Sequence, residues 1–259
     1  MNITHLKGNV TVAVGLSGGV DSAMAAYLLK RQGYDVVGLT MKIWPGGGMP
    51  AAKGKSGCYG PDAESVAAAA EICRRLAIPH HVIDLVQDYE QNVLEDFSRQ
   101  YMVGFTPNPC VLCNQFVKFG ALLDHARSSG IRFDKFATGH YARVEWDTVN
   151  GRYALRKAAD KRKDQTYFLY RLQQKQLAQV IFPLGGLTKQ QVREMAAQAD
   201  FADLANKPES QDFIDGGDFQ AFFGEMPAKP GRIVDVNGKE LGRHSGVHHY
   251  PVGQRKGLR

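Results

Sequence analysis

Val10-Thr-Val-Ala-Val-Gly-Leu-Ser17-Gly18-Gly19-Val20-Asp21-Ser22 decides how the rest of the chain is read. A valine-rich apolar run breaks into Ser-Gly-Gly and then into good helix formers, Ala23 to Arg31, which predicts a buried strand, a tight turn and a helix start. Such a turn suits an anion. Glycine lets the backbone close in on phosphate oxygens, and the free N–H groups of the first helical turn point at the same place with the helix dipole behind them. Ser17 and Ser22 add hydroxyl donors, and Asp21 is placed to cap the helix or to help hold Mg2+. No Gly-Lys-Ser/Thr follows the glycines and no G-x-G-x-x-G is present, so this is not the P-loop or the dinucleotide fingerprint. Taken alone, the hexapeptide also fits a turn that binds nothing.

With 259 residues and 44% hydrophobic content, the chain can form one large domain and a small one. It shows neither a signal pattern nor an apolar run of membrane-spanning length, so a soluble, cytoplasmic protein without a membrane partner is expected. The net charge of +6 becomes informative where it clusters, at Arg156-Lys157 with Lys161-Arg162-Lys163 and at Arg255-Lys256 with Arg259. Four cysteines without a signal argue for metal or catalytic chemistry rather than a disulfide scaffold.

Further along, Tyr34 to Met41 reads as a second parallel strand, with Met41 at its carboxyl end, where open α/β sheets bind ligands. A glycine-rich loop, Trp44 to Gly60, carries Cys58. Asp62 to Ala77 is amphipathic and places Cys73 in the core. His80 to Leu85 is the third strand. Its adjacent histidines point to opposite faces and make a poor pair of metal ligands. A helix from Asp88 to Tyr101 precedes Thr106-Pro-Asn108-Pro109-Cys110-Val-Leu-Cys113, which lies just before a helix over Phe116 to Ser128. Thiolates near a helix N-terminus are better nucleophiles and better metal ligands. Ile131 to Thr138 is a fourth strand ending in Gly139-His140, and a hairpin follows over Ala142–Trp146 and Arg152–Arg156. Gln173 to Val180 and Lys189 to Ala199 read as amphipathic helices. The fold class predicted is α/β, a doubly wound and mostly parallel sheet over residues 1–206, with a small β-rich piece over 207–259.

The Ser-Gly-Gly-Val-Asp-Ser loop resembles the pyrophosphate loop of the adenine-nucleotide α-hydrolase group. The whole motif set resembles, in order, the tRNA 2-thiouridylase family. It comprises Ser17 to Ser22, Met41, Thr106-Pro-Asn-Pro, Cys113-Asn114, Lys118-Phe-Gly120, Ala137-Thr-Gly-His-Tyr-Ala-Arg143, Lys163-Asp-Gln165 with Tyr167-Phe-Leu169, Ser210-Gln211 and Gly253-Gln-Arg-Lys-Gly-Leu258. The resemblance implies that ATP adenylates the wobble uridine of a tRNA and that sulfur then replaces its C2 oxygen. It assigns Gly15, Leu16, Ser17, Gly18, Gly19, Val20, Asp21, Ser22, Met41 and Gly139 to the nucleotide, and Cys113 to sulfur presentation with His140 as a helper. It assigns Asn108, Pro109 and Cys110 to the extruded base, and Lys163, Asp164 and Gln165 to tRNA.

Two departures bear on the mechanism. Many members have Asp where this chain has Cys110, and a second catalytic cysteine after the Ser-Gln pair, which Ser210 to Asp218 lacks. Cys58, Cys110 and Cys113 are therefore expected to hold a [4Fe–4S] cluster that binds hydrosulfide, to run a persulfide relay fed by a sulfur donor protein in which Cys110 or Cys58 resolves Cys113, or, with a histidine as fourth ligand, to hold zinc. The usual C-terminal β-barrel of the family is not seen. The rival readings are another adenylating enzyme of the group and a non-catalytic binder of tRNA or a cluster.

Overall fold

The computed structural model describes residues 10–46, 57–59, 62–205, 212–214 and 229–254. Strand β1, Thr11–Gly15, has Val12, Ala13 and Val14 wholly buried, as expected of a strand covered on both faces. The chain turns through residues 16–19 into helix α1, Val20–Arg31. The inner face of α1 carries Ala23, Ala25 and Ala26 beside Met24 and Leu29. Small side chains let the helix lie close to the sheet, while Met24 and Leu29 each contribute roughly 1.5–3 kcal/mol by burial. Gly33, at φ +89°, turns the chain into β2, Asp35–Lys42, which runs parallel to β1 from Thr11↔Asp35 to Gly15↔Leu39.

Strand β3, Gly57–Tyr59, lies apart from this sheet. Helix α2, Ala63–Leu76, then leads into β4, His80–Asp84, which pairs with β2. Helix α3 runs through Val86–Tyr89, Glu90–Leu94 and Glu95–Met102, its middle section wound in wide π-type turns. Helix α4 comprises Pro109–Leu112, a second wide section Cys113–Ala121, and Leu122–Ser128. Strand β5, Lys135–Ala137, pairs with the other side of β1. The expected hairpin forms from β6, Ala142–Asp147, and β7, Arg152–Lys157, which pair antiparallel. After α5, Gln174–Leu177, strand β8, Val180–Ile181, joins β5. Helix α6, Lys189–Gln198, and α7, Ala202–Ala205, complete this part. Strand β9, Asp212–Ile214, pairs in parallel with β3, and β10, Gly231–Val234, forms an antiparallel pair with β11, Glu240–His244.

The main sheet has the order β4-β2-β1-β5-β8 with every pair parallel. One apolar cluster joins Val12 and Val14 to α1, α2 and α6, and another joins Ala13, Leu39 and Phe136 to α3 and α4. This is the doubly wound α/β architecture. The chain builds outwards from β1 to β2 and β4, then returns to add β5 on the opposite side. The switch point, where such sheets bind ligands, therefore lies between the carboxyl ends of β1 and β5.

Three local expectations need correction. The fourth strand is limited to Lys135–Ala137, which pairs with Val12–Val14, and Asp134 before it bonds Thr11 through both backbone and carboxylate. Gln173 to Val180 is one helical turn followed by a strand that extends the sheet. Helix α4 starts at Pro109 rather than Phe116, because the Asn108 side chain accepts from the Cys110 N–H and Pro109 occupies the first helical position. Cys-x-x-Cys thus opens the helix instead of preceding it. The glycine-rich stretch 47–56, most of 206–228 and the closing motif at 255–259 lie outside the described residues.

Cys73 is buried as expected, and burial pushes its thiol up to about 11, leaving it unreactive. It packs on Gly38, where an added Cβ would meet Cys73 Sγ at 2.5 Å and Leu16 Cδ1 at 2.7 Å. Gly38→Ala is expected to cost roughly 1–3 kcal/mol through overpacking, read as a lowered urea midpoint at unchanged slope. His80 Nε2 lies 2.8 Å from Thr40 Oγ1, whose hydroxyl donates to the Leu16 carbonyl at 3.2 Å, so His80 braces the start of the turn after β1. Burial, aided by neighbouring His81, lowers the His80 pKa, and His140 and His248 shift the same way. The unfolded chain therefore binds these protons first as pH falls through about 6.5, so stability declines on acidification and is level above that pH. Urea midpoints should fall between about pH 7.5 and pH 5.5, and His80→Gln should flatten part of that fall.

Candidate nucleotide and thiol site

Gly18 has φ +75°, and a Cβ there would sit 2.8 Å from Ala68 Cβ and 2.9 Å from the Ser65 carbonyl, so both backbone and packing demand glycine. Gly19 is the N-cap and presents no side chain. The Ser22 hydroxyl donates to the Gly19 carbonyl at 3.0 Å and accepts the Ser17 N–H at 3.3 Å. Ser22 is buried and fixes the loop, whereas Ser17 is the exposed hydroxyl. Among the described residues, no acceptor bonds the N–H groups of Gly18, Gly19, Val20, Asp21 or Ser22. That row of unmet donors at the positive end of α1 matches a polyphosphate. Gly139 closes the other wall. A Cβ there would be 2.7 Å from Asp21 C and 2.8 Å from Ser22 N, so β5 ends directly against the loop. Leu16 donates to the Leu39 carbonyl at 2.8 Å, and Met41 lies two residues further along β2, half-exposed at the same edge.

Asp21 does not cap α1, because no side chain caps that helix. Its carboxylate instead receives Lys189 Nζ at 2.8 and 2.7 Å and the Tyr141 hydroxyl at 2.9 Å. Neither partner was singled out as a site residue in the sequence. A lysine at the first position of a helix opposes the dipole, and that anomaly at Lys189 was the available signal.

His140 follows Gly139, with Nδ1 2.7 Å from Thr138 Oγ1 and its ring 6.0 Å from Phe119 and 6.1 Å from Phe182. Desolvation, reinforced by the Lys118 charge, holds its pKa well below the usual imidazole value. It therefore serves at neutral pH as an uncharged hydrogen-bonding group.

Helix α4 ends where the chain turns towards the amino end of β5, so its first turn stands at the carboxyl edge of the sheet with the nucleotide loop. Cys110 and Cys113 are three residues apart in that turn and share a face. Pro109 is buried beneath them, and Asn108 is committed to its cap. Neither thiol is in a disulfide. Cys58 lies on β3, but its side chain is outside the described residues. Among the described residues, no group of three His, Cys, Asp or Glu side chains converges as for a metal ion.

The basic segment is held from within. Asp164 accepts the N–H groups of Ala158 at 2.7 Å and Thr166 at 3.3 Å, and the Gln165 side chain accepts the Tyr141 N–H at 2.8 Å. Asp164 and Gln165 shape the loop, while Lys161 and Arg162 are exposed and Lys163 is half-buried. Beside it, Tyr167 and Tyr170 are each 65% exposed, and Arg171 stacks 5.8 Å over the exposed Phe116. Asn114 Nδ2 donates to the Phe168 carbonyl at 3.1 Å and ties this surface to the thiol helix.

The family model described as the tRNA methyl transferase HUP domain matches residues 10–215, and the tRNA methyl transferase PRC-barrel domain matches residues 221–259. A tRNA-specific 2-thiouridylase of Endomicrobium trichonymphae is 50% identical over 255 residues, spanning 98% of this chain and 70% of that protein. One from Gloeothece citriformis is 48% identical over 251 residues, 95% of this chain and 68% of that protein. A solved 4-thiouridine synthetase in complex with RNA and ATP shares 16% identity over 78% of this chain and 44% of its own, with a TM-score of 0.49. The description of the domain model speaks of methyl transfer and the names of the relatives of thiolation; near-half identity over almost the whole chain makes the relatives decisive. The chain belongs to the tRNA-specific 2-thiouridylase family.

Proposed function

We propose that the chain is an ATP-dependent sulfurtransferase that converts the wobble uridine of tRNA to 2-thiouridine. What supports this is the topology, by which helices α1 and α4 both begin on the carboxyl side of the sheet. One offers bare N–H donors for phosphates, and the other carries two thiols. A uridine C2 oxygen is a poor leaving group. Its attack on the α-phosphorus of ATP expels pyrophosphate and turns that oxygen into part of AMP. The Gly15–Ser22 loop and Gly139 hold the phosphates, and Met41 stands at the edge that takes the adenosine end. ATP arrives with Mg2+; Asp21, the acidic side chain of the loop, is engaged by Lys189 and Tyr141, so the metal would ride on the phosphates of the nucleotide. Neutral His140 orients the uridine or relays its proton without adding charge.

Sulfur then adds to the activated carbon and AMP leaves. We assign the carrier to Cys113, as a persulfide loaded by a sulfur donor. Its terminal sulfur attacks C2, and Cys110 attacks the remaining Cys113 sulfur, releasing the thiolated base and leaving a Cys110–Cys113 disulfide for a thiol reductant to reopen. A Cys-x-x-Cys pair at a helix start suits this cycle. A second reading rests on the Cys-x-x-Cys spacing with Cys58 as a third thiol. In that reading, Cys58, Cys110 and Cys113 would hold a [4Fe–4S] cluster, which would supply an open iron for hydrosulfide.

RNA fits the outer surface. Exposed rings at Tyr167, Tyr170 and Phe116 alternate with Lys161, Arg162 and Arg171, a composition suited to unstacked bases and their phosphates. Asn108, Pro109, Cys110 and Lys163 to Gln165 are the segments assigned to the target base and to tRNA.

Cys113→Ser is expected to abolish 2-thiouridine in nucleoside mass spectrometry while retaining tRNA-dependent pyrophosphate release; equal thiolation by the variant would remove Cys113 from the mechanism. Iron and sulfide assays on anaerobically purified protein separate the sulfur routes, since full activity without iron leaves the persulfide. If Tyr167 and Tyr170 stack on bases, each alanine variant should weaken tRNA binding by roughly 1–3 kcal/mol in a filter-binding titration, with far smaller effects on ATP affinity.

A further inference from the structure

Lys189 opens α6 against the helix dipole and is only 5% exposed. Burying an ammonium is costly unless it is paired, and its pairing with both oxygens of Asp21 meets that need. The pairing also serves the nucleotide loop, because an uncompensated carboxylate beside the bare N–H groups would repel a polyphosphate. What holds the two partners of Asp21 is less obvious. The backbone N–H of Lys189 donates to Asp160 Oδ2 at 3.0 Å, while Oδ1 of the same carboxylate accepts the Arg162 N–H at 3.0 Å. Tyr141 is locked to Gln165 from both sides. Its N–H donates to Gln165 Oε1 at 2.8 Å, and its carbonyl accepts the Gln165 N–H at 2.9 Å. Asp160 and Gln165 bracket Lys161, Arg162, Lys163 and Asp164. Both clamps on Asp21 are thus anchored at the two ends of the basic loop.

We propose that Lys189 and Tyr141 are positioning residues that couple the basic loop 160–165 to the nucleotide loop, so that tRNA on one tightens ATP on the other. This rests on the tRNA-thiolating reading. RNA phosphates bound at Lys161 and Arg162 stiffen the loop, and the bonds that Asp160 and Gln165 already make then hold Lys189 and Tyr141 more firmly on Asp21, which keeps the first turn of α1 aligned for phosphate. Linkage makes the effect reciprocal, so bound ATP tightens tRNA by the same factor. The device favours spending ATP only when the RNA is present.

The test titrates the full chain with the α,β-methylene analogue of ATP, with and without a tRNA bearing a wobble uridine. The ratio of the two dissociation constants measures the coupling. A ratio of about tenfold is expected for the wild type, falling below about twofold in Lys189→Met, Gln165→Ala and Tyr141→Phe, with partial recovery in Lys189→Arg, which keeps the charge. In pyrophosphate release with tRNA, Lys189→Met should raise the KM for ATP more than it lowers kcat. A merely structural lysine would lower the folded fraction without that split. Should Lys189→Met fail to fold, Tyr141→Phe, which loses one hydroxyl, and Gln165→Ala decide. A wild-type ratio near one, or wild-type coupling in these variants, overturns the proposal. Mass spectrometry of the tRNA keeps the two readings apart: 2-thiouridine formed without coupling defeats this inference alone, and its absence from the wild type defeats the functional assignment.

Discussion

The approach of Gly139 to the backbone of Asp21 and Ser22 is the constraint on which the rest of the site depends. With a hypothetical Cβ only 2.7 Å from Asp21 C, no other residue lets the end of β5 close against the start of α1. That contact draws the two sides of the switch point together. It puts His140 and Tyr141 on the nucleotide loop and, through Phe119 against His140, fixes how helix α4 meets the same edge. The site is a product of sheet topology, and the special residues keep the crevice narrow.

Much of this was legible because its causes are local. Val10 to Ser22 announces strand, turn and helix by composition alone, and Gly18 and Gly19 fall where a positive φ and an open N-cap are needed. The Asn150-Gly151 turn gave the β6–β7 hairpin, and helical spacing gave α2 with Cys73 inward. The parts that were not legible depend on residues far apart in sequence. Nothing near Lys189 says that its ammonium reaches Asp21, 168 positions away. Nothing in Gln173 to Val180 says that Val180 must complete a sheet begun at Thr11. The cap at Asn108 is the instructive case. Asn-Pro is a helix-start signal, yet the two prolines invited an extended reading that hid the helical setting of both thiols.

The side chains of the Lys163-Asp-Gln165 motif divide their labour. Asp164 and Gln165 satisfy backbone donors and build the loop, and the exposed basic residues beside them meet solvent. A motif can therefore mark an RNA surface although several of its members touch only protein. The Asn114 bond to Phe168 makes the same surface continuous with the thiol helix, so cations, rings and sulfur share one face.

The wide section of α4 has a consequence for phasing. At 3.6 residues per turn, Cys113 and Leu122 would stand about 180° apart, one towards the core and one towards water. Slower winding between them brings both inward: Leu122 is fully buried and Cys113 packs against the same apolar cluster. The Gln176 amide donates to the carbonyls of Gln115 and Phe119, so this unusual winding is braced from outside. Removing a single residue from the stretch would restore ordinary pitch and swing the sulfur away from the crevice while the hydrophobic seam stayed seated. The helix thus acts as a gear whose tooth count sets the bearing of the thiol.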